Sequence, residues 1–327
     1  MTTCKPQAVA GVPRLVPQAA VPGLPRPTWD QARVLSHDVI GTRYHRVACA
    51  APTIAAASRA GQFVMITVDD APRGHLTLPR PMAIHRRRAD LGVIEFVFDV
   101  VGRGTKALAQ AVPGDSLMMV GPLGNGFPPA CWTAGDSVLL LGRGIGVCGV
   151  MTVAEDAADA HATTVAIFSG REPENVIGMA DAAELGIDAM SVDDQSGTSH
   201  PGMLRAELVR RFARRPPSAM MVCGSRRLGL LAAELSRLWD IPLSVSIESR
   251  MACGLGYCHG CALPAGHADA EGPLACVDGP VFSLILSDEQ EGGVHFLFHA
   301  TKIEIRFSAR QIIVNARICG HQALSLI

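Results

Sequence analysis

Residues 138–149, Val138-Leu139-Leu140-Leu141-Gly142-Arg143-Gly144-Ile145-Gly146-Val147-Cys148-Gly149, pass from an apolar run through a glycine turn into a helical pattern. A short strand that feeds a helix in this way opens a parallel α/β layer, since a parallel neighbour can be reached only through a crossover. The pattern then repeats. Strand-like runs at 164–168, 189–192, 219–223 and 243–247 alternate with helical patterns at 147–159, 203–213 and 226–239, which predicts a helix-covered parallel sheet over residues 131–247. Gly144-x-Gly146-x-x-Gly149 has the spacing that lets helix N-terminal amides approach a pyrophosphate. Gly142, Gly144 and Gly146 are therefore candidate nucleotide contacts. A turn whose glycines serve packing alone is the competing reading. The acid expected about 20 residues further on in a Rossmann domain is missing, because the next strand ends Phe168-Ser169-Gly170-Arg171. The choice between NADH and NADPH stays open.

Upstream the pattern changes to short β-like runs at 62–68, 92–98 and 115–120, punctuated by Gly and Pro, with one helical interruption at 105–111. This predicts a small antiparallel barrel over residues 29–130. Residues 1–28 are rich in Pro, Ala and Val, with no acidic residue before Asp30, and are expected to form a disordered extension without the apolar core of a secretory signal.

The whole chain supports a globular reading: 327 residues, 48% apolar and 18% charged, leave room for about two domains. Lys+Arg 29 against Asp+Glu 30 gives no electrostatic drive toward nucleic acid or anionic lipid. The longest membrane-span candidate, 138–154, is broken by Arg143 and four glycines. A soluble, cytoplasmic protein is expected. Residues 283–327 hold seven Ile, whereas residues 1–282 hold eleven, and read as an atypical tail. The alternation at 302–307 suits a strand, or arises from an altered reading frame.

Ten cysteines are present, and four fall within 24 residues as Cys253-x4-Cys258-x2-Cys261-x14-Cys276. The first three match the C-x4-C-x2-C order of plant-type [2Fe-2S] sites, whose fourth ligand lies farther along the chain. Gly254, Gly256 and Gly260 suit a loop that must turn sharply and aim N–H groups at sulfur. Structural zinc is the rival, because four thiolates also make a tetrahedral site; zinc sites usually present two C-x2-C knuckles, and only one is found here. His259 lacks the C-x-H context of a Rieske ligand and reads as a surface histidine or one beside the cluster.

Barrel, glycine-loop domain and cysteine loop, in this order, resemble the ferredoxin-NADP reductase superfamily, and within it the electron-transfer subunits of NAD-linked dihydroorotate dehydrogenases. The resemblance runs over residues 32–282. Arg80-Pro81-Met82-Ala83-Ile84 is similar to the family's flavin motif R-P-x-S-I, with Ala83 in place of Ser. Gly102-Arg103-Gly104-Thr105 resembles its G-x-G-T, residues 121–127 its G-P-L-G-N-G-F, and residues 142–146 its G-G-G-I-G with Arg143 as a departure. Cys223-Gly224 is similar to its C-G pair at the nicotinamide, and residues 276–282 to its closing C-x-D-G-P-V-F.

The resemblance implies an α+β multi-domain protein: an antiparallel β-barrel FAD domain, an α/β parallel-sheet nucleotide domain and a C-terminal [2Fe-2S] loop module at 248–282. It implies FAD contacts at Arg80, Pro81, Met82, Ala83, Val97, Phe98, Asp99, Gly104 and Thr105, and nucleotide contacts at Gly142, Gly144, Gly146, Cys223 and Gly224. Cys253, Cys258, Cys261 and Cys276 would be the cluster ligands. No catalytic base is expected on this chain. The implied function is electron relay between NAD(H), a co-substrate, and an FMN-containing dihydroorotate dehydrogenase catalytic subunit in pyrimidine synthesis, in a heterotetramer. A ferredoxin or sulfide-type NAD(P)H oxidoreductase subunit is the first alternative. A zinc-stabilised, non-catalytic nucleotide-binding protein is the second.

Overall fold

The computed structural model describes residues 14–17, 26–68, 78–128, 132–264, 271–285, 293–298, 301–308 and 311–318. The barrel is built from β2 (Thr28–Ile40), β3 (Tyr44–Ala50), β4 (Phe63–Thr67), β5 (Arg80–Ala83), β6 (Arg86–Arg88), β7 (Val93–Asp99) and β8 (Ser116–Leu123), with α1 (Pro52–Ala57) and α2 (Arg103–Leu108) in its connections. The antiparallel order is β5-β4-β8-β2-β3-β7-β6. Its two edge strands are consecutive in the chain, so the sheet curls until they meet: Ile84 N–H donates to Gln62 O (3.1 Å) and His85 N–H to Glu95 O (2.7 Å). Period-two alternation sorts β4. Val64 and Ile66 fill the barrel interior with Phe96, Phe98 and Met119, whereas Phe63 and Met65 face outward.

The second sheet holds β9 (Ser137–Arg143), β10 (Thr163–Gly170), β11 (Asp188–Asp193), β12 (Ala219–Cys223) and β13 (Leu243–Ser246), crossed by α3 (Val147–Asp159), α4 (Met179–Glu184), α5 (Pro201–Arg211) and α6 (Arg226–Trp239). Those five strands are parallel, as the alternation predicts, in the order β13-β12-β9-β10-β11. The sheet is nevertheless mixed. β14 (Val281–Ile285) runs antiparallel beside β13, and β1 (Arg14–Pro17) runs antiparallel beside β14. Two expectations are thereby corrected. The stretch 1–28 is not wholly an unstructured extension, because Arg14–Pro17 completes the sheet edge and β2 starts at Thr28; residues 1–13 and 18–25 lie outside the described residues. Residues 283–285 are a sheet strand, not the start of a separate tail. The next three strands, β15 (Gly293–Phe298), β16 (Thr301–Ser308) and β17 (Gln311–Ile318), form an antiparallel sheet of their own, which agrees with the strand reading of 302–307. Among the described residues no helix is long and apolar enough to cross a membrane.

Barrel and sheet share one apolar interface. Tyr44, Ala60, Val97 and Phe127 from the barrel pack with Val147, Met151 and Cys223 of the α/β layer. Beside it lies a buried ionic network. Asp181 of α4 receives Arg46 Nη2 (2.8 Å) and Arg86 Nη1 (2.7 Å) from the barrel, and His85 Nε2 stands 3.0 Å away. Arg86 Nε donates to Glu155 of α3 (2.6 Å) and Arg46 Nε to Glu95 (2.6 Å). Burial pushes the Asp181 carboxyl up, but His85 and Arg46 pull it well below the usual carboxylate range. At Glu155 burial wins, and its carboxyl rises despite Arg86.

Candidate functional site

Three groups of sites converge on the barrel wall and the C-terminal edge of the parallel sheet. The first is at α2. A side chain at Gly104 would overlap the Arg80 guanidinium, so the arginine of β5 lies directly on the first turn of α2, whose leading amides have no helical partner. Arg80 Nη1 also donates to Leu78 O (2.6 Å), which holds the fork in place. A guanidinium fork beside helix N-terminal amides could hold a phosphate, and the missing Cβ at position 104 is what lets Arg80 come so close to the helix start. The Thr105 hydroxyl is occupied differently, since it accepts from Val101 N (2.9 Å) and Gly102 N (3.1 Å) and shapes the loop. Of the other predicted flavin residues, Met82 is buried in the barrel and Ala83 borders the interdomain interface. Val97 and Phe98 are also buried, Phe98 stacked on His45 at 5.2 Å, and Asp99 pairs with Arg43. Pro81 is half-buried opposite Met65.

The second group is the glycine loop. A short 3-10 turn at Gly144–Gly146 joins β9 to α3, which spans the predicted residues 147–159. Packing accounts for part of the loop. A Cβ on Gly146 would stand 2.5 Å from Gly224 Cα, and one on Gly149 would stand 2.9 Å from Cys223 Sγ. The Cys223-Gly224 turn is thus seated against the loop it was predicted to accompany. Gly144 has a positive φ of 53° and lies beside the Tyr44 hydroxyl. Tyr44 was missed from sequence because nothing within Thr42-Arg43-Tyr44 signals contact with a loop a hundred residues later. Glu248 is the first residue of the predicted cysteine-loop module. Burial pushes its carboxyl up to about 7, and burial, with Glu248 as a further contribution, raises the thiols of Cys148 and Cys223.

The third group is the cysteine loop. It packs on the outer face of β4 and β8, where Cys261, Cys276 and Ala275 meet Phe63, Met65, Val120 and Leu123. Gly254 has φ 72°, and its missing Cβ would lie 2.5 Å from Met65 Cγ. Only glycine permits that approach. Among the described residues no three potential ligands converge on one ion-sized point. Sulfur–sulfur hydrogen bonding links Cys253 with Cys258 and Cys261 with Cys276, and the charge of Cys253 also acts on Cys276. Amides already serve the sulfurs: Leu255 N and Cys258 N donate to Cys253 Sγ (both 3.4 Å), and Gly256 N to Cys276 Sγ (3.2 Å). Burial opposes ionisation at Cys253, but these amides outweigh it and bring the thiol down to about 6. Cys276 is pushed up to about 12 by burial and the neighbouring Cys261. His259 Nδ1 lies 2.6 Å from Glu271 Oε1 at the surface. The rim of the loop is apolar, with Tyr257 90%, Leu255 52% and Val277 50% exposed.

A family model described as the iron-sulfur cluster binding domain of dihydroorotate dehydrogenase B matches residues 248–285. Over 254 residues the chain is 30% identical to the dihydroorotate dehydrogenase B (NAD(+)) electron transfer subunit of Geobacillus thermodenitrificans, covering 77% of this chain and 96% of the relative. The subunit of the same name from Desulforamulus reducens is 29% identical over 255 residues, with 77% and 95% covered. That of Streptococcus pneumoniae R6 is 31% identical over 230 residues, with 69% and 86% covered. Among solved structures, an NADH-dependent reduced ferredoxin-NADP oxidoreductase studied for flavin-based electron bifurcation superposes with TM-score 0.64 at 22% identity, covering 79% of this chain and 90% of the other. A ferredoxin reductase of carbazole 1,9a-dioxygenase superposes with TM-score 0.53 at 18% identity, covering 68% of each chain. These two likenesses concern the fold.

Proposed function

Since this chain belongs to the family of dihydroorotate dehydrogenase B (NAD(+)) electron transfer subunits, we propose that it relays electrons between a nicotinamide nucleotide and a catalytic partner subunit through FAD and a [2Fe-2S] cluster. When bound, the flavin would exchange a hydride with the nicotinamide and single electrons with the cluster, a conversion neither of the other two carriers makes alone. One observation carries the reading. On the outer face of β4, Met65 stands opposite Pro81 of the flavin motif and against Gly254 of the cluster loop. A single strand therefore supports both carriers.

The residues divide the work as follows. Arg80 and the first turn of α2 would hold the FAD phosphates, while Pro81, Met82 and Ala83 would lie along the ring, with Val97, Phe98, Asp99 and Thr105 shaping the same wall. Gly142, Gly144 and Gly146 open the sheet edge to the nucleotide, and Cys223-Gly224 would border the nicotinamide. The buried Asp181 network ties the two modules together beside the interface where Tyr44 and Ala83 pack, and there flavin and nucleotide would meet. Cys253, Cys258, Cys261 and Cys276 would ligate the cluster. Its exposed rim of Leu255, Tyr257 and Val277 would face the partner, for which we propose an FMN-containing dihydroorotate dehydrogenase subunit in a cytoplasmic heterotetramer.

A visible spectrum with metal analysis tests this directly. Flavin bands overlaid by broad iron-sulfur absorption are expected, with iron and no stoichiometric zinc; a colourless, zinc-containing protein overturns the proposal. Arg80→Ala removes a charge-assisted phosphate contact and is expected to weaken FAD binding about ten- to a hundredfold. Retention of a full FAD complement after prolonged dialysis of that variant would remove Arg80 from the site.

A further inference from the structure

A cavity of about 520 Å³ opens between the barrel and the far end of α3, lined by Arg59, Arg87, Phe127, Pro128, Asp156 and Asp159. None of these residues is assigned above to flavin, nucleotide or cluster. α3 starts at the glycine loop and its 13 residues rise about 1.5 Å each, so the cavity lies a helix length, roughly 20 Å, from that loop. Close contacts fix the wall on the barrel side. Phe127 N–H donates to Ala60 O (2.8 Å), Gly61 N–H donates to Thr152 Oγ1 of α3 (3.0 Å), and a Cβ on Gly61 would stand 2.6 Å from the Phe127 ring. The cavity is therefore preformed, and its volume suits a small molecule.

Its charges divide between the two walls. Arg87 is already engaged, since Nη1 donates to Ser58 O (2.9 Å) and Nη2 pairs with Asp156. That leaves Arg59 on the barrel and Asp159 on α3. Arg59 Nη1 is buried with no hydrogen-bond partner among the described residues, a cationic donor taken from water without an acceptor in exchange. Asp159 is exposed and has no ion-pair partner among the described residues. It closes a helix whose last turn carries no basic residue, where unpaired carbonyls already concentrate negative charge. One wall thus calls for an anion and the other for a cation. A phosphate dianion would satisfy Arg59 but be repelled by Asp159 and the helix end. Phe127 and Pro128 add apolar surface.

We propose that this cavity binds a small zwitterion with an apolar body, of the α-amino acid class, its carboxylate on Arg59 and its ammonium group at Asp159 and the C-terminus of α3. Such a ligand bridges the barrel and the α/β layer, so its binding raises the stability of the folded chain. The flavin-loaded protein is titrated calorimetrically with L-phenylalanine, with hydrocinnamate, which lacks the amine, and with inorganic phosphate, in wild type, Arg59→Ala and Asp159→Asn. L-Phenylalanine is expected to bind wild type with a rise in melting temperature, and to lose about tenfold in affinity in each variant, the effect of one charge-assisted contact. Hydrocinnamate should bind wild type about tenfold more weakly than L-phenylalanine and gain nothing from Asp159. Asp159 is exposed at a helix end, which provides a variant whose folding is not at issue. Absence of L-phenylalanine binding to wild type, an affinity that either variant leaves unchanged, or phosphate bound as tightly as the amino acid overturns the inference.

Discussion

Asp181→Ala is expected to cost about 3–5 kcal/mol of folding stability, the loss typical when one member of a buried ion network is removed. The reason lies in what the substitution leaves behind. Arg46 and Arg86 both aim at this carboxylate, and the Arg86 side chain is only 3% exposed, so its guanidinium would be left partly unpaired away from water while the half-buried Arg46 loses a partner too. Urea denaturation of wild type and variant measures the cost; a loss below about 1 kcal/mol would mean that the network is incidental. The pH dependence has a definite sign. A carboxylate held below its ordinary value contributes stability that is fully present above about pH 4–5 and is lost as pH falls through the acidic range. Glu155, whose carboxyl burial raises, acts in the opposite sense as pH rises. Wild type should therefore lose stability on acidification more steeply than Asp181→Asn. The same network sets one module against the other, so hydride exchange with the nucleotide should slow in Asp181→Asn even where the protein remains folded.

Cys261→Ser is expected to eliminate nucleotide-linked turnover with the partner subunit while the flavin stays bound. Cys261 is buried with Cys276 against Met65 and Leu123, on the side of the loop that packs on β4 and β8. Substitution there breaks the link to Cys276, and reduction of a one-electron dye by the nucleotide should persist, because that reaction needs only the barrel and the α/β domain. Cys258→Ser separates the ligand role from packing. Cys258 is exposed, so its loss removes a thiolate without opening a cavity, and iron should fall from two atoms per chain with no change in thermal stability of the barrel. Unchanged iron content in Cys258→Ser removes this cysteine from the ligand set. Undiminished turnover in Cys261→Ser refutes the relay.

What local sequence determined about this protein is whatever depends on neighbours within a few residues. Alternation of apolar runs and glycines placed the five parallel strands and located α3, because the hydrophobic period and the helix start are properties of the segment itself. The spacing of Cys253, Cys258 and Cys261 marked the metal-binding loop for the same reason. Tertiary structure decided what depends on partners far along the chain. Arg14–Pro17 looks like part of a proline-rich arm and becomes a strand only because β14 presents an unpaired edge. Nothing in the sequence around Arg86 or Asp181 signals burial. They are buried together because each brings the other's countercharge across 95 residues, and burial of either alone would be prohibitive. Asp194 was likewise invisible: its partners appear only when Arg143 at the end of β9 and Arg227 in the first turn of α6 close on it.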